Sequence, residues 1–346
     1  MILRGLQEFP APERVLLIQL RRIGDVLLGT PALRALSRRF PGVRVDFLVE
    51  PPADEVLWGH PLVDRLFVVP RDKSLRTFFR FTRLLRARRY DWVIDFFSNP
   101  RSAQFAFLSG ARVRVGLDRR GRRWAYTHHI VEEETDRDAY AVDLRLDVLQ
   151  RMGVPEAGRE LEIFSDNAAP LEKARAAQIL TQVAADKPLI VVNTGSHNPA
   201  KRYPADLTAR TISELRRLSY EIILTSGPGE TELGESILAL LPQRVPFLPD
   251  ARVPTLAALF RHAHLYLGPD SGPKHVAVAC HLPTVTIFGP GRPSNWNDPH
   301  NPRNIVLTAP CDVRPHCIEA ECARRECLRK IPPESVVNAV TSLLMK

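Results

Sequence analysis

The chain has 346 residues, 45% hydrophobic and 25% charged, the ordinary make-up of a soluble globular protein with room for two domains, and no low-complexity segment. Its formal net charge of +9, from 48 Lys and Arg against 39 Asp and Glu, favours acidic partners (phosphorylated substrates, anionic lipid or nucleic acid) without choosing among them. No apolar run is long enough to span a bilayer and the first residues lack a signal-peptide pattern, so a cytoplasmic location is expected, where five cysteines read as thiols or metal ligands before disulfides.

In chain order, residues 14–20 (RVLLIQL) form a continuous apolar run that reads as a buried parallel strand. Residues 21–40 follow as a helix, with apolar positions at helical spacing from Val26 to Leu36. VRVDFLVE (43–50), DRLFVVP (64–70) and DWVIDFF (91–97) read as strands, the last two separated by a basic helix over 72–89, and RVRVGL (112–117) as a short strand. The alternation restarts after residue 170. Helices are expected over 170–185, 206–218, 229–241, 254–263, 272–281 and 332–346, with strands over 188–195, 220–227, 265–268 and 283–289. The pattern predicts two α/β halves, 1–165 and 166–346, with parallel sheets, leaving open that the last helix packs back on the first half.

In such sheets ligands bind beyond the carboxyl ends of the strands, and two sheets that face each other leave a cleft between them. RRIGD (21–25) stands at such an end in the first half; NTGSHNPAKRYP (193–204), TSGPGE (225–230), GPDSGP (268–273) and FGPGRP (288–293) do so in the second. Glycine lets backbone N–H groups approach a ligand, and a helix N-terminus favours an anion. Four such loops with Lys201 and Arg202 read as a diphosphate cradle, against the alternative that Asp270 or Ser271 only caps a helix. No Walker A loop or GxGxxG fingerprint is present, which disfavours an ATPase or a dehydrogenase.

VLLIQLRRIGDVLLGTPALRAL with VDFLVE, AKRYP, and GPDSGPKHVAVA followed by PTVTIFGP resemble the ADP-heptose:lipopolysaccharide heptosyltransferases, glycosyltransferase family 9. The resemblance runs over nearly the whole chain, and residues 99–126 look most like the heptosyltransferase III branch. It implies a GT-B fold of two facing Rossmann-like domains, the first binding acceptor and the second nucleotide sugar. It also implies an inverting glycosyltransferase without cofactor or catalytic metal, acting on ADP-heptose and the lipopolysaccharide core, peripheral on the cytoplasmic face of the inner membrane. Asp25, after Gly24, would be the general base; its other role is a helix N-cap. Lys201 would contact the diphosphate, otherwise being solvated loop charge. Asp270 would bind sugar hydroxyls, and Ser271 and Gly272 the phosphate; His275 would bind phosphate or brace the loop. Thr194, Gly195, Arg202, Gly227 and Gly289 complete the donor set, with Glu230 or Glu232 on the ribose. Lys274 is expected to face solvent. Tyr203 stands where the family usually has Trp, and Gly291 where it often has Thr or Ser, so a side-chain phosphate contact there is replaced by backbone.

Arg119, Arg120, Arg122 and Arg123 suit an acceptor that bears phosphates. On the helix over 72–89, Arg76, Arg80 and Arg83 share one side; the helix either packs its apolar side on the sheet beneath a solvated basic face or docks on an anionic membrane surface. Cys311, Cys317, Cys322 and Cys327 cluster with His316, but intervals of five, four and four residues lack the tight pairs of most zinc sites; reduced thiols are expected, zinc being the alternative, and Cys280 is a core residue. A rival enzyme reading is a family relative that uses another nucleotide sugar. A nucleic-acid-binding protein would match the charge, but no reader helix, zinc finger or RNA-stacking motif is present.

Overall fold

The apolar run at 14–20 becomes β1 (Arg14–Ile18), whose residues Val15 to Ile18 have no solvent exposure, as a parallel strand covered on both faces requires. After it come α1 (Ile23–Leu27), α2 (Thr30–Arg39), β2 (Arg44–Val49), β3 (Arg65–Val68), α3 (Leu75–Ala87), β4 (Trp92–Asp95), α4 (Pro100–Leu108), β5 (Val113–Leu117), β6 (His128–Ile130) and α5 (Ala141–Arg151). The sheet is wholly parallel, in the order β3-β2-β1-β4-β5-β6. This computed structural model describes residues 2, 9–70, 72, 74–131, 138–289, 291–310 and 326–345, in two units, Met1–Phe164 and Ser165–Lys346.

The second unit runs α6 (Pro170–Leu180), β7 (Leu189–Asn193), α7 (Ala205–Arg217), β8 (Glu221–Thr225), α8 (Thr231–Leu238), β9 (Phe247–Leu248), α9 (Val253–Phe260), β10 (Leu265–Pro269), α10 (Gly272–Ala279), β11 (Thr284–Ile287), α11 (Pro293–Trp296), β12 (Asn304–Leu307), α12 (Glu326–Arg329) and α13 (Pro333–Leu344). Its sheet is also parallel, in the order β12-β11-β10-β7-β8-β9. Counted from the first strand of each unit, the two orders are the same doubly wound arrangement. The order reverses between β1 and β4 in the first unit and between β7 and β10 in the second, the kind of switch point at which open α/β sheets bind ligands. Helix α13 packs on α7, β10 and β11.

Two expectations change. The single helix over 21–40 is two: Pro31, second in α2, has no N–H to carry the α1 ladder onward, and a Cβ on Gly29 would stand 3.2 Å from the Val26 carbonyl. Helix α3 does not bury all its apolar residues. Phe81 and Leu85 enter the core, whereas Leu75, Phe79 and Leu84 are exposed among the arginines.

Candidate active site

The β7 strand ends at Asn193, and the chain then makes the loop that carries Lys201. Asn193 Oδ1 accepts the Gly195 N–H at 3.3 Å, and the Thr194 N–H bonds to the Thr225 carbonyl at 3.1 Å, tying this loop to the end of β8. Asn198 Oδ1 accepts from Ala200 N at 3.0 Å and opens a tight turn through Lys201. Lys201 is not solvated loop charge. Its side chain is buried, and Nζ donates to Asp270 Oδ2 at 2.9 Å, across the switch point between β7 and β10. Gly268 in β10 permits the close approach there: a Cβ would fall 2.8 Å from the Asn193 carbonyl.

The neighbouring loop is stitched in by Glu230. Its Oε1 accepts from Arg202 Nη2 at 2.9 Å and its Oε2 from the Gly227 N–H at 3.2 Å. Gly195 has no room for a side chain, since a Cβ would sit 1.8 Å from Glu230 Oε2. Of the two acidic candidates, Glu230 therefore belongs to the cluster, while Glu232 lies exposed in the first turn of α8. Both cations of the cradle already have carboxylate partners, so Asp270 and Glu230 orient Lys201 and Arg202.

The helix-cap alternative at α10 does not hold. Ser271 is the N-cap residue, yet its hydroxyl makes no capping bond, and Asp270 is committed to Lys201. Gly272 opens the helix. The buried His275 ring stands edge-on to Trp296, 6.1 Å between centroids. Ser226 Oγ, just past β8, is buried without a hydrogen-bond partner. Gly289 sits against Ala200, where a Cβ would stand 3.4 Å from its carbonyl, and Gly291 has φ +115°.

Lys274 overturns the expectation that it faces solvent. It is 1% exposed, its Nζ donates to the Trp296 carbonyl, and burial lowers its pKa to about 8 against the pull of Asp270 and Asp298. The sequence shows a lysine at a helix start; that α11 covers it becomes visible only in the fold.

In the first unit Asp25 is not an N-cap. It is the third residue of α1; Oδ2 accepts the Arg22 N–H at 3.2 Å, and Oδ1 faces Arg145 Nη2 at 3.2 Å. Arg145, missed in the sequence, also reaches Gln19 Oε1 at 3.3 Å; burial lowers its pKa, and Asp25 opposes that shift. Gly24 is buried within α1. The arginine loop follows β5, at the same strand-end edge. Arg122 donates to the Ser98 carbonyl at 3.1 Å, Arg123 pairs with Asp118, Arg119 N bonds to Leu117 O at 2.9 Å, and Arg120 is exposed. Cys280, expected in the core, is only half-buried at the end of α10, with its thiol pKa pushed up to about 12 by desolvation, and Cys327 is buried. Cys311, Cys317, Cys322 and His316 lie outside the described residues. Among the described residues no helix is long and apolar enough to cross a membrane.

Residues 78–327 match the family model described as glycosyltransferase family 9 (heptosyltransferase). The chain belongs to glycosyltransferase family 9. Among its family relatives, lipopolysaccharide heptosyltransferase 3 of Escherichia coli is 26% identical over 335 residues, 93% of this chain and 96% of that one. A family 9 glycosyl transferase from Veillonella parvula superposes with a TM-score of 0.85 over 99% of both chains at 24% identity. E. coli heptosyltransferase WaaC, solved with ADP-2-deoxy-2-fluoro heptose, gives a TM-score of 0.69 over 95% of this chain and 99% of its own at 22% identity. These likenesses give family 9 its GT-B fold class here: two Rossmann-like units with parallel six-stranded sheets. A more distant likeness, to the iron-containing glycosyltransferase TibC of enterotoxigenic E. coli (TM-score 0.56, 16% identity, 99% of this chain and 77% of that one), extends to the fold alone.

Proposed function

We propose that this family 9 chain transfers heptose from ADP-heptose to the inner core of lipopolysaccharide, with inversion and without a catalytic metal, docked peripherally on the anionic cytoplasmic face of the inner membrane. The observation that carries this reading is the buried Lys201–Asp270 pair at the second switch point: an ammonium held beside the N-terminus of α10 suits a diphosphate. WaaC, a relative in fold, was solved with an ADP-sugar, which supports the donor class.

In this reading Thr194, Gly195, Arg202, Gly227, Glu230, Ser271, Gly272, His275 and Gly289 hold the nucleotide sugar. Arg119, Arg120, Arg122 and Arg123 receive the acidic acceptor beside Gly24. Asp25 takes the proton from the acceptor hydroxyl as its oxygen attacks the anomeric carbon from the face opposite the leaving group. The bond to the diphosphate breaks, its electron pair goes to the phosphate oxygen, and Lys201 balances the charge that develops there.

A panel of nucleotide sugars with truncated lipopolysaccharide acceptors, read as nucleoside diphosphate release, tests this. ADP-heptose should turn over with chelator present, and Lys201→Ala should lower kcat about a hundredfold. Turnover of a different nucleotide sugar only, or activity lost to chelator and restored by Mg²⁺ or Mn²⁺ in a folded enzyme, would overturn the donor or the metal-free chemistry respectively.

A further inference from the structure

A groove of about 620 Å³ opens in the first unit between α3 and α4, within the size range of small-molecule sites (~300–1,000 Å³). Its lining is mostly aromatic and aliphatic, with Asp72, Thr77 and Gln104 beside the apolar side chains. Phe81 and Phe105 pack edge to face at 5.5 Å, Phe78 stands 5.6 Å from Phe105, and Leu108 lines the groove beside them. Over the phenylalanines a sugar or a nucleotide would leave its hydroxyls without partners, whereas a hydrocarbon chain would not.

The mouth has a different character. Arg21 Nε and Arg101 Nη1 both line the groove and both reach one carboxylate, Glu50, at 2.7 and 2.9 Å, so two cations share one anion there. Leu75 and Phe79, 74% and 62% exposed, line the groove and also belong to the outer face of α3, where Arg76, Arg80 and Arg83 are exposed. Asp72 also lines the groove, but Arg21, Arg101 and the three exposed arginines of α3 outnumber it and Glu50, so the groove opens onto a surface that is both greasy and net basic, the match for an amphiphile with an acidic head. It is also continuous with the candidate acceptor site: Arg21 lies in the β1–α1 loop, next to Arg22, whose N–H holds Asp25.

We propose that this groove seats an acyl chain of the acceptor lipid itself, with an acidic group of the headgroup against Arg21 and Arg101. The assignment rests on the reading that the acceptor is a lipid-borne saccharide. It adds that the enzyme grips the lipid as well as the sugar.

Two measurements on the full chain test it. Dodecyl phosphate, below its critical micelle concentration, should bind saturably at one site per chain, while inorganic phosphate at the same concentration should not. Leu108→Trp, which fills the groove, and Phe79→Ser, at an exposed position the fold tolerates, should each weaken that binding by roughly tenfold or more. In transfer assays, KM for an acylated acceptor should lie about tenfold or more below KM for the same saccharide fully deacylated, and both variants should bring that ratio near one. No saturable dodecyl phosphate binding, or binding unchanged in both variants, overturns the groove as an acyl site. Saturable binding with equal KM values for the two acceptors assigns the groove to bulk lipid and overturns the acceptor's chain as its occupant. An acyl preference that survives Leu108→Trp but is lost when Arg76, Arg80 and Arg83 become Ser assigns the preference to the bilayer surface and likewise overturns it. Transfer to neither acceptor sinks the functional reading and this assignment with it.

Discussion

At Asp25 one carboxylate closes a helix turn with one oxygen and faces a buried guanidinium with the other. Asparagine can keep the first contact and cannot balance the charge of Arg145, so Asp25→Asn should cost about 1–3 kcal/mol of stability, where a plain N-cap would have cost nearly nothing. Measured at a temperature where the variant stays folded, transfer should fall by roughly a hundred- to ten-thousandfold while ADP affinity holds, because the nucleotide is assigned to the other unit. Transfer near the wild-type rate would leave Asp25 as a helix-closing group only. Asp25 and Lys201 were legible as charges set in glycine- and proline-rich strand-end loops. Their partners were not: Arg145 lies 120 residues from Asp25 and Asp270 lies 69 from Lys201, distances that no local pattern spans.

At the scale of elements, the seam between α10 and α11 turns on Lys274. With a folded pKa of about 8 against 10.5 in the unfolded chain, the amine is charged in both states below pH 8, and the fold bears the full cost of burying it, roughly 3 kcal/mol. Between pH 8 and 10.5 the unfolded chain keeps a proton that the folded one has released, so this group makes stability rise with pH and its penalty vanishes above that window. Lys274→Met removes the term. The variant's urea midpoint relative to wild type should therefore be highest near pH 7 and fall by pH 10; a difference flat across that range would mean the amine does not feel its burial. Element by element, the buried parallel strands were plain in the sequence because both faces are apolar. The strands left out, β6, β9 and β12, run three, two and four residues at sheet edges, too short to carry a period, and α4 and α5 were passed over as well.

For the whole molecule, each unit carries its own hydrophobic core: one around Leu16, Leu48 and Val93, the other around Ile190, Leu224 and Val285. The residues assigned to the nucleotide all fall within Ser165–Lys346. That stretch, made alone, should fold and bind ADP in calorimetry, and ADP at a hundred times its Kd should stabilise it by about 2.7 kcal/mol. A folded fragment that ignores ADP would dissolve the cradle. Division into two α/β halves was readable from the restart of the strand–helix alternation near residue 170, and the net positive charge narrowed the partners without naming one. A chain wired twice by the same diagram can be cut and respliced at residue 164 without opening either sheet or dividing either switch point. On the proposed assignment of acceptor to the first unit and donor to the second, chimeras that join this first half to the second half of another family member should inherit acceptor choice from one parent and donor choice from the other.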